Sequence, residues 1–341
     1  MSQNVVNKEV EVSEEEVDDL VKWLPNAVLL GNDRQIFNYK GFWCERYFLK
    51  STLKSQRNFI AKDTDVIIGG LQKTGTTWLK SLLFSVVERV NHPVNQSLLL
   101  NHNPHALVHG LETHIYADQT DYLNLNLTHL GEPRLLSTHL PYALIPDSIR
   151  VSKAKIVYIT RHPLDMLVSQ YYFTLSIMKK KTTEEDDFIP PPIQDFFDDF
   201  CLGKYPFGPY FDHVVEFWKI SIAQPEKVLF LKYEDLKSDP VKNLKRLAEF
   251  IGMPFSSKEE TEGVITQIIN LCSFKNLKEL EVNKNGVVIN DLLDKKSFFR
   301  NGQVGDWSNH FTPLMVEKMD IIMQHKFKGT GLSFNLLPQQ L

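Results

Sequence analysis

The stretch DVIIGGLQKTGTTWLKSLL, residues 65–83, predicts a buried strand, a tight loop and a helix in direct succession. The apolar run before Gly69 is typical of a strand that is buried on both faces, and the apolar residues after Thr77 recur at helical spacing. The first backbone N–H groups of a helix have no intrahelical partner, and the helix dipole adds partial positive charge there. The stretch therefore predicts a loop that binds an anion at the start of a helix.

The residues of this loop are the types that an anion site requires. Lys73 brings a full positive charge, and Gly75 allows a backbone with positive φ that can approach the anion closely. Two threonine hydroxyls add hydrogen-bond donors at the start of the helix. The residues predicted to contact the anion are Lys73, Thr74, Gly75, Thr76 and Thr77.

The spacing from Gly70 to Gly75 also fits the two glycines of a nucleoside-triphosphate P-loop. Thr76 stands where that motif has its lysine, and Lys73 lies two residues before the second glycine. This departure disfavours a triphosphate site. Taken alone, the stretch fits an ordinary helix cap after a strand equally well, so the rest of the chain decides.

Composition limits the partners and the compartment of the chain. With 38 Lys and Arg against 42 Asp and Glu, the net charge is −4, so we expect neither a nucleic-acid nor a membrane partner. Cys44, Cys201 and Cys272 are too few and too far apart for a disulfide framework or a zinc site, which favours the cytoplasm. We expect no metal, since no ligand spacing indicates one.

Strands and helices are predicted to alternate along the chain. The strands fall near residues 66–68, 135–137, 156–160 and 228–232, and the helices near 76–90, 164–178, 210–223 and 241–251. Such alternation favours an α/β fold in which helices flank a central, mainly parallel sheet and ligands bind at the carboxyl ends of the strands.

The chain shows no sharp domain boundary. Residues 1–15 are polar and acidic and are predicted to form a disordered tail, which a short helix follows. Residues 16–341 are predicted to form a single domain. Residues 179–192 join three lysines, an acidic run and three prolines, so we expect a mobile, solvated loop there.

Two polar positions follow predicted strands. Arg161, after strand 156–160, can bind a second anion with its guanidinium fork, and Ser169 on the next helix can add a hydroxyl. His139 follows the strand near residue 137 and can take a proton from a hydroxyl at neutral pH. The alternatives are a structural ion pair for Arg161 and a structural role for His139.

A segment near the C-terminus, residues 298–307, combines Arg300, Asn301 and Gly302 without helical periodicity. It is predicted to wrap over a bound phosphate with its backbone donors and guanidinium, although a capped turn before the next helix is the alternative. The aromatic faces of Trp78 and Phe274 can enclose a purine, and the Tyr233 hydroxyl can contact a base edge. Core packing is the alternative for these aromatic residues.

Six motifs in this order resemble those of the cytosolic sulfotransferases over roughly residues 60 to 325. They are Lys-Thr-Gly-Thr-Thr-Trp at 73–78, Thr-His-Leu-Pro at 138–141, Arg161 with Ser169, Tyr-Glu-Asp at 233–235, Ser-Phe-Lys at 273–275 and Arg-x-Gly-x-x-Gly-Asp-Trp from Arg300. Each motif alone is weak, but the ordered set is specific. The segments at 38–43 and 196–203 are most similar to the plant branch of that family.

The resemblance implies that 3′-phosphoadenosine 5′-phosphosulfate is the sulfuryl donor, with no metal, and that a small hydroxylated plant metabolite is the acceptor. The donor would be held by loop 73–78 at its phosphosulfate, by Arg161, Ser169, Arg300, Asn301 and Gly302 at its 3′-phosphate, and by Trp78, Tyr233 and Phe274 around the adenine. His139 matches the family's catalytic base. Lys73 matches the lysine that stabilises the leaving phosphate, and Ser169 matches a serine that restrains this lysine.

The sequence departs from the family pattern in places. Gln72 replaces a proline before the lysine, and Ser137 replaces a lysine found in animal members two positions before His139. The C-terminal pattern for dimer formation is poorly kept, which predicts a monomer or a weak homodimer. We expect Phe173, Tyr142 and the 179–210 segment to line the acceptor pocket.

Two other functions are compatible with parts of the sequence. A P-loop kinase that uses ATP and magnesium is one, with Asp235 in the position of a Walker-B acid. A nucleotide-binding module without catalytic activity is the other. Among acceptors, an apolar and aromatic pocket fits flavonols, brassinosteroids, hydroxyjasmonates and desulfoglucosinolates.

Overall fold

The computed structural model describes residues 10–118, 131–181, 188–288 and 293–334. The strands are β1 Asn26–Val28, β2 Gln35–Tyr39, β3 Phe42–Cys44, β4 Val66–Gly69, β5 His109–Gly110, β6 Leu135–Thr138, β7 Lys155–Thr160, β8 Val228–Lys232, β9 Val287–Val288 and β10 Leu293–Asp294. The central sheet has five strands in the order β5-β6-β4-β7-β8, and all of its pairs are parallel. The remaining strands form a three-stranded and a two-stranded antiparallel sheet.

Helices cover both faces of the central sheet. The α-helices are α1 Glu14–Val21, α2 Arg46–Asn58, α3 Thr76–Glu88, α4 Pro104–Leu107, α5 Asp147–Val151, α6 Pro163–Lys181, α7 Ile193–Cys201, α8 Tyr210–Ala223, α9 Tyr233–Ser238, α10 Pro240–Phe250, α11 Ser257–Thr261, α12 Val264–Leu271, α13 Phe274–Glu279, α14 Glu281–Lys284 and α15 Pro313–Phe327. None of the helices described has both the length and the apolar character needed to cross a membrane.

The strand β7 shows why these residues form a central strand. Successive side chains point to opposite faces of a sheet, and in β7 the four residues from Ile156 to Ile159 are apolar and buried on both faces. Tyr158 packs into the core cluster that includes Phe217 of α8, whereas Val157 and Ile159 pack into the cluster that includes Leu79 of α3. A strand that is apolar on both faces is typical of a parallel sheet between two helical layers.

The predicted α/β fold with a parallel central sheet is confirmed, and the four predicted strands agree with β4, β6, β7 and β8 to within one residue at each end. The helix predicted over 76–90 ends at Glu88, and the helix predicted over 164–178 continues to Lys181. Part of the expected loop from residue 179 is therefore helical, because Lys179 to Lys181 extend α6 and Lys180 pairs with Asp294 at 2.7 Å. Residues 182–187 lie outside the described residues.

The N-terminal boundary also differs from the prediction. Helix α1 begins at Glu14, and the Ser13 side chain accepts a hydrogen bond from the backbone N–H of Glu16 at 3.1 Å. Val12, inside the predicted tail, is buried against α1 and α2. The predicted boundary at residue 15 thus falls within a helix, because an apolar residue and a helix cap precede it. Residues 1–9 lie outside the described residues.

Candidate active site

A cavity of about 700 Å³ lies where β4, β6, β7 and β8 end. It is lined by every residue predicted for the site except Thr74: Lys73, Gly75, Thr76, Thr77, Trp78, His139, Arg161, Ser169, Tyr233, Phe274, Arg300, Asn301 and Gly302. The carboxyl ends of parallel strands meet at one edge of a sheet, so residues far apart in sequence converge there. The predicted convergence of the six motifs is therefore present in the fold.

The loop between β4 and α3 has a left-handed backbone at two positions. Lys73 has φ of 67°, and Gly75 has φ of 108° at the N-cap position of α3. A Cβ atom on Gly75 would lie 2.7 Å from the Tyr233 ring, so this position requires glycine for space as well as for conformation. The start of α3, with its unpaired N–H groups, is thereby brought to the cavity.

Thr74 differs from its predicted role. Its hydroxyl donates a hydrogen bond to the carbonyl oxygen of Leu71 at 2.7 Å, and its side chain is fully buried. The hydroxyl is therefore used to close the loop and does not face the cavity.

The Lys73 ammonium is the most strongly perturbed charge of the loop. Burial, together with the positive charges of Arg161 and Arg300, lowers the pKa of Lys73 to about 7. Its Nζ atom lies 3.9 Å from the centre of the Phe173 ring on α6. Three cationic side chains therefore line one cavity, an arrangement that a bound polyanion stabilises.

His139 is held so that one ring nitrogen remains available. Its Nδ1 lies 2.6 Å from the carbonyl oxygen of Gly70, which can only accept, so Nδ1 carries the hydrogen and Nε2 keeps a free lone pair. Burial lowers the pKa of His139, which keeps the ring neutral, while Glu112 opposes this shift. The backbone N–H of His139 donates to Glu112 at 2.7 Å, and Thr138 donates to the same carboxylate at 2.8 Å.

Arg161 contacts a segment that we call the strap, residues 299–305, which includes Arg300. The guanidinium of Arg161 donates to the Gln303 carbonyl oxygen and lies 3.6 Å from the carboxylate of Asp165. That carboxylate accepts hydrogen bonds from the backbone N–H groups of Gly305 at 2.8 Å and Trp307 at 3.0 Å. The strap is thus tied to the first turn of α6.

Tyr233 and Phe274 also hold the strap. The Tyr233 hydroxyl donates to the Gly302 carbonyl oxygen at 2.9 Å, and Lys237 donates to the same oxygen. The hydrogen of this hydroxyl is therefore donated to a backbone carbonyl, and the contact of the hydroxyl with a base edge stays a prediction. A Cβ atom on Gly302 would lie 2.5 Å from the Phe274 ring, so backbone and ring are in close contact.

The remaining part of the cavity is largely aromatic. Phe48, Phe173, Phe196 and Tyr205 line it, with several polar residues beside them. Tyr142, which we expected there, packs instead edge-on against Phe217, with ring centres 5.7 Å apart. Among the described residues of the 179–210 segment, those that line the cavity are Lys181, Phe196, Asp199, Lys204, Tyr205 and Pro206.

Comparison with known proteins identifies the family. Residues 63–331 match the family model described as the sulfotransferase domain, which is more than half of the chain. The chain belongs to the sulfotransferase family. A sulfotransferase-family protein of Flaveria bidentis, named flavonol sulfotransferase-like, is 43% identical to it over 310 residues, 91% of this chain and 94% of that protein. Cytosolic sulfotransferase 10 of Arabidopsis thaliana is 39% identical over 334 residues, 96% of this chain and 97% of that one.

Solved structures agree with the fold of this sulfotransferase. A crystal structure from Arabidopsis thaliana, provisionally assigned as a steroid sulphotransferase, has a TM-score of 0.72 at 32% identity and covers 96% of this chain and 99% of its own. A mouse sulfotransferase crystallised with PAP has a TM-score of 0.63 at 25% identity and covers 87% of this chain and 95% of its own. The predictions of a sulfotransferase enzyme, of the plant-type cytosolic branch and of the α/β fold are confirmed.

Sequence reasoning missed several residues that shape the site. Glu112, Asp165 and Lys237 hold His139 and the strap, yet none belongs to a motif that marks it. Acidic residues are common in the first turn of a helix, so Asp165 gave no signal of its tertiary role. Asp235, the acid of the kinase alternative, lies in α9 and is not among the described residues that line the cavity.

Proposed function

We propose that this sulfotransferase moves a sulfuryl group from 3′-phosphoadenosine 5′-phosphosulfate to a hydroxyl of a small plant metabolite. One observation carries the proposal: a single cavity is lined by the cations Lys73, Arg161 and Arg300 together with the neutral base His139. The cations suit a donor with a phosphate at each end, and the histidine suits an acceptor that must lose a proton.

Buried donors without partners support a nucleotide of this type. The Nε atoms of Arg161 and Arg300 and the Nε1 atom of Trp78 are buried and have no hydrogen-bond partner among the described residues. Buried polar groups are normally paired, so unpaired donors in a cavity favour a ligand that accepts from them. The mouse relative was crystallised with PAP, which supports the same class of nucleotide here.

In the proposed reaction, Nε2 of His139 takes the proton of the acceptor hydroxyl. The acceptor oxygen then forms a bond to sulfur as the bond from sulfur to the bridging oxygen of the donor breaks. Lys73 and the start of α3 stabilise the charge that develops on the departing phosphate. Alignment and charge stabilisation supply most of the catalysis in transfers of this kind, so no metal is required.

The acceptor class follows from the aromatic part of the cavity. Rings of Phe48, Phe173, Phe196 and Tyr205 offer apolar contact to a flat molecule, with His139 close enough to line the same space. We propose a hydroxylated ring compound of the flavonol or steroid type. The names of the Flaveria and Arabidopsis relatives support these two types.

A melting assay tests the donor. Adenosine 3′,5′-bisphosphate at about a hundred times its Kd would stabilise the protein by roughly 2.7 kcal/mol. We expect Tm to rise by several degrees without magnesium, at about 2 to 4 °C per kcal/mol for a chain of this size. A rise only with ATP and magnesium would contradict the proposal and support the kinase.

Turnover separates an enzyme from a nucleotide-binding module. We expect transfer of labelled sulfate from 3′-phosphoadenosine 5′-phosphosulfate to at least one compound in a panel of flavonols and hydroxysteroids. Nucleotide binding without transfer to any panel member would favour the module. The oligomeric state, a monomer or weak homodimer, stays a prediction, and light scattering at two protein concentrations tests it. The lack of nucleic-acid and membrane partners also stays a prediction.

A further inference from the structure

Lys80 is a buried lysine that the proposed reaction does not use. It lies on α3 three residues after Thr77, and only 2% of its surface is exposed. Its Nζ atom donates to the Val108 carbonyl oxygen at 2.9 Å and lies 3.2 Å from Nδ1 of His105. On the opposite side of the imidazole, Nε2 of His105 lies 2.9 Å from the Thr77 hydroxyl oxygen. A chain of three polar groups therefore connects the protein interior to the anion-binding loop.

The chemistry of these groups sets the direction of the hydrogen bonds. A lysine ammonium can only donate, so Nδ1 of His105 accepts from Lys80. Burial lowers the pKa of His105 well below its ordinary value, so the ring is neutral and carries one hydrogen. That hydrogen must be on Nε2, which donates to Thr77. The Thr77 hydroxyl then has its own hydrogen free, and Thr77 lines the cavity.

We propose that Lys80 and His105 are positioning residues that turn the hydroxyl hydrogen of Thr77 toward the anion of the bound donor. This inference rests on the proposed function, since it requires an anion at the start of α3. Without Lys80 the other tautomer of His105 becomes available. Its Nε2 would accept from Thr77, and the hydroxyl hydrogen would point away from the anion.

The surroundings of His105 keep the ring in place. The ring stacks on Phe298, with centres 4.2 Å apart and planes at 27°. Asn103 caps the short helix α4 by accepting from the His105 backbone N–H at 2.9 Å, and its own amide donates to Asn283 at 2.8 Å. Tautomer exchange is thus possible without movement of the ring.

The ammonium form of Lys80 matters because, unlike the neutral amine, it cannot accept a hydrogen bond from His105. Burial lowers the pKa of Lys80 to about 7, and the Glu112 carboxylate opposes this shift. The other groups that feel its charge are four histidines, His105, His109, His114 and His139. An anion bound at the start of α3 adds to the effect of Glu112 and favours the ammonium.

A double-mutant cycle tests the chain of contacts. The proteins are the wild type, Lys80→Met, Thr77→Val and the double variant, and the measurement is the Kd of adenosine 3′,5′-bisphosphate by calorimetry. We expect Lys80→Met to weaken binding about tenfold in the wild-type background, the usual size for a lost hydrogen bond to a charged group. In the Thr77→Val background we expect less than about a twofold further change, because the hydroxyl is already gone.

Equal factors in the two backgrounds would overturn the proposal, because Lys80 would then act by a route that does not include Thr77. Binding of the bisphosphate by the wild type distinguishes failure of this inference from failure of the proposed function. If the wild type does not bind the bisphosphate at all, the proposed function is wrong. If it binds and the cycle shows no coupling, only the inference is wrong.

A second pair of variants tests His105 even if Lys80→Met does not fold. In His105→Gln, the amide oxygen can accept from Lys80 and the amide N–H can donate to Thr77, which keeps the direction of both hydrogen bonds. His105→Met is the matched apolar control. We expect the glutamine variant to bind the bisphosphate within about threefold of the wild type and the methionine variant about tenfold more weakly. Equal losses in two variants that keep the wild-type circular dichroism would overturn the proposal.

Discussion

The β4–α3 loop and the strap both border the cavity, but they are held in different ways. The loop is shaped by local contacts, such as the bond from Thr74 to Leu71 three residues away and the left-handed backbone of Gly75. The strap depends on partners far away in sequence, including Asp165, which lies 140 residues before Gly305. In the proposed function, the reacting groups therefore lie on a locally built turn, whereas binding of the far phosphate would depend on tertiary contacts that can be loosened separately.

The largest effect is expected from His139, whose ring is fixed by the Gly70 carbonyl oxygen at the first residue of the loop. We predict that His139→Ala lowers kcat about 10²- to 10⁴-fold, the range for loss of a general base. The Kd of adenosine 3′,5′-bisphosphate should stay unchanged, since the strap contacts remain. Steady-state kinetics and calorimetry measure the two quantities. A variant with a near-normal rate would remove His139 as the base.

A smaller effect is expected when the strap contacts are weakened, and it should change nucleotide binding and not kcat. Asp165→Asn weakens the two backbone hydrogen bonds that hold Gly305 and Trp307 and removes the charge beside Arg161. We predict about tenfold weaker binding of the bisphosphate, with kcat at saturation within about twofold.

The control for this variant is Asp198→Asn, which removes a half-exposed carboxylate paired with Lys318 at 3.0 Å. Asp198→Asn should change neither the Kd of the bisphosphate nor kcat. A collapse of kcat with unchanged Kd in Asp165→Asn would contradict the distinction between loop and strap.

The smallest effect is a pH dependence of binding. Burial and the two arginines lower the pKa of Lys73 to about 7, and a bound anion raises it again. Above pH 7 binding must therefore take up a proton, so the affinity for the bisphosphate should weaken from pH 7 to pH 8 by at most about fivefold. Lys73→Arg stays charged and should show a flatter slope in calorimetry. An equal slope in both proteins would assign the proton to another group, such as Lys80.

The difference between local contacts in the loop and distant contacts in the strap also explains which site residues could be predicted from the sequence. Lys73 and Gly75 are predictable because the features of an anion-binding turn lie within a few neighbouring residues. Arg161 and His139 could be placed because each follows an apolar strand, and strand ends converge in a parallel sheet. In these cases local pattern and topology together were sufficient.

The incorrect or missing assignments concern hydrogen bonds whose partner is distant or is the backbone. The Thr74 hydroxyl, which is predicted to contact the anion, donates to the Leu71 carbonyl oxygen, and the Tyr233 hydroxyl donates to the Gly302 carbonyl oxygen although Tyr233 lines the cavity as predicted. Residue type shows that a side chain can donate, but not which acceptor lies nearest in the folded chain. For the same reason Glu112, which contacts residues 26 and 27 positions further along the chain, could not be identified.

In the proposed function, one cavity binds a nucleotide at two phosphates, with Arg161 at the 3′ end. The most direct measurement compares the Kd of adenosine 3′,5′-bisphosphate with that of adenosine 5′-phosphate, for the wild type and for Arg161→Ala. We predict that the wild type prefers the bisphosphate by about a hundredfold and that most of this preference is lost in the variant, because a charge-assisted contact with the 3′-phosphate is removed. Equal affinity of the wild type for the two nucleotides, or an unchanged preference in Arg161→Ala, would contradict the account.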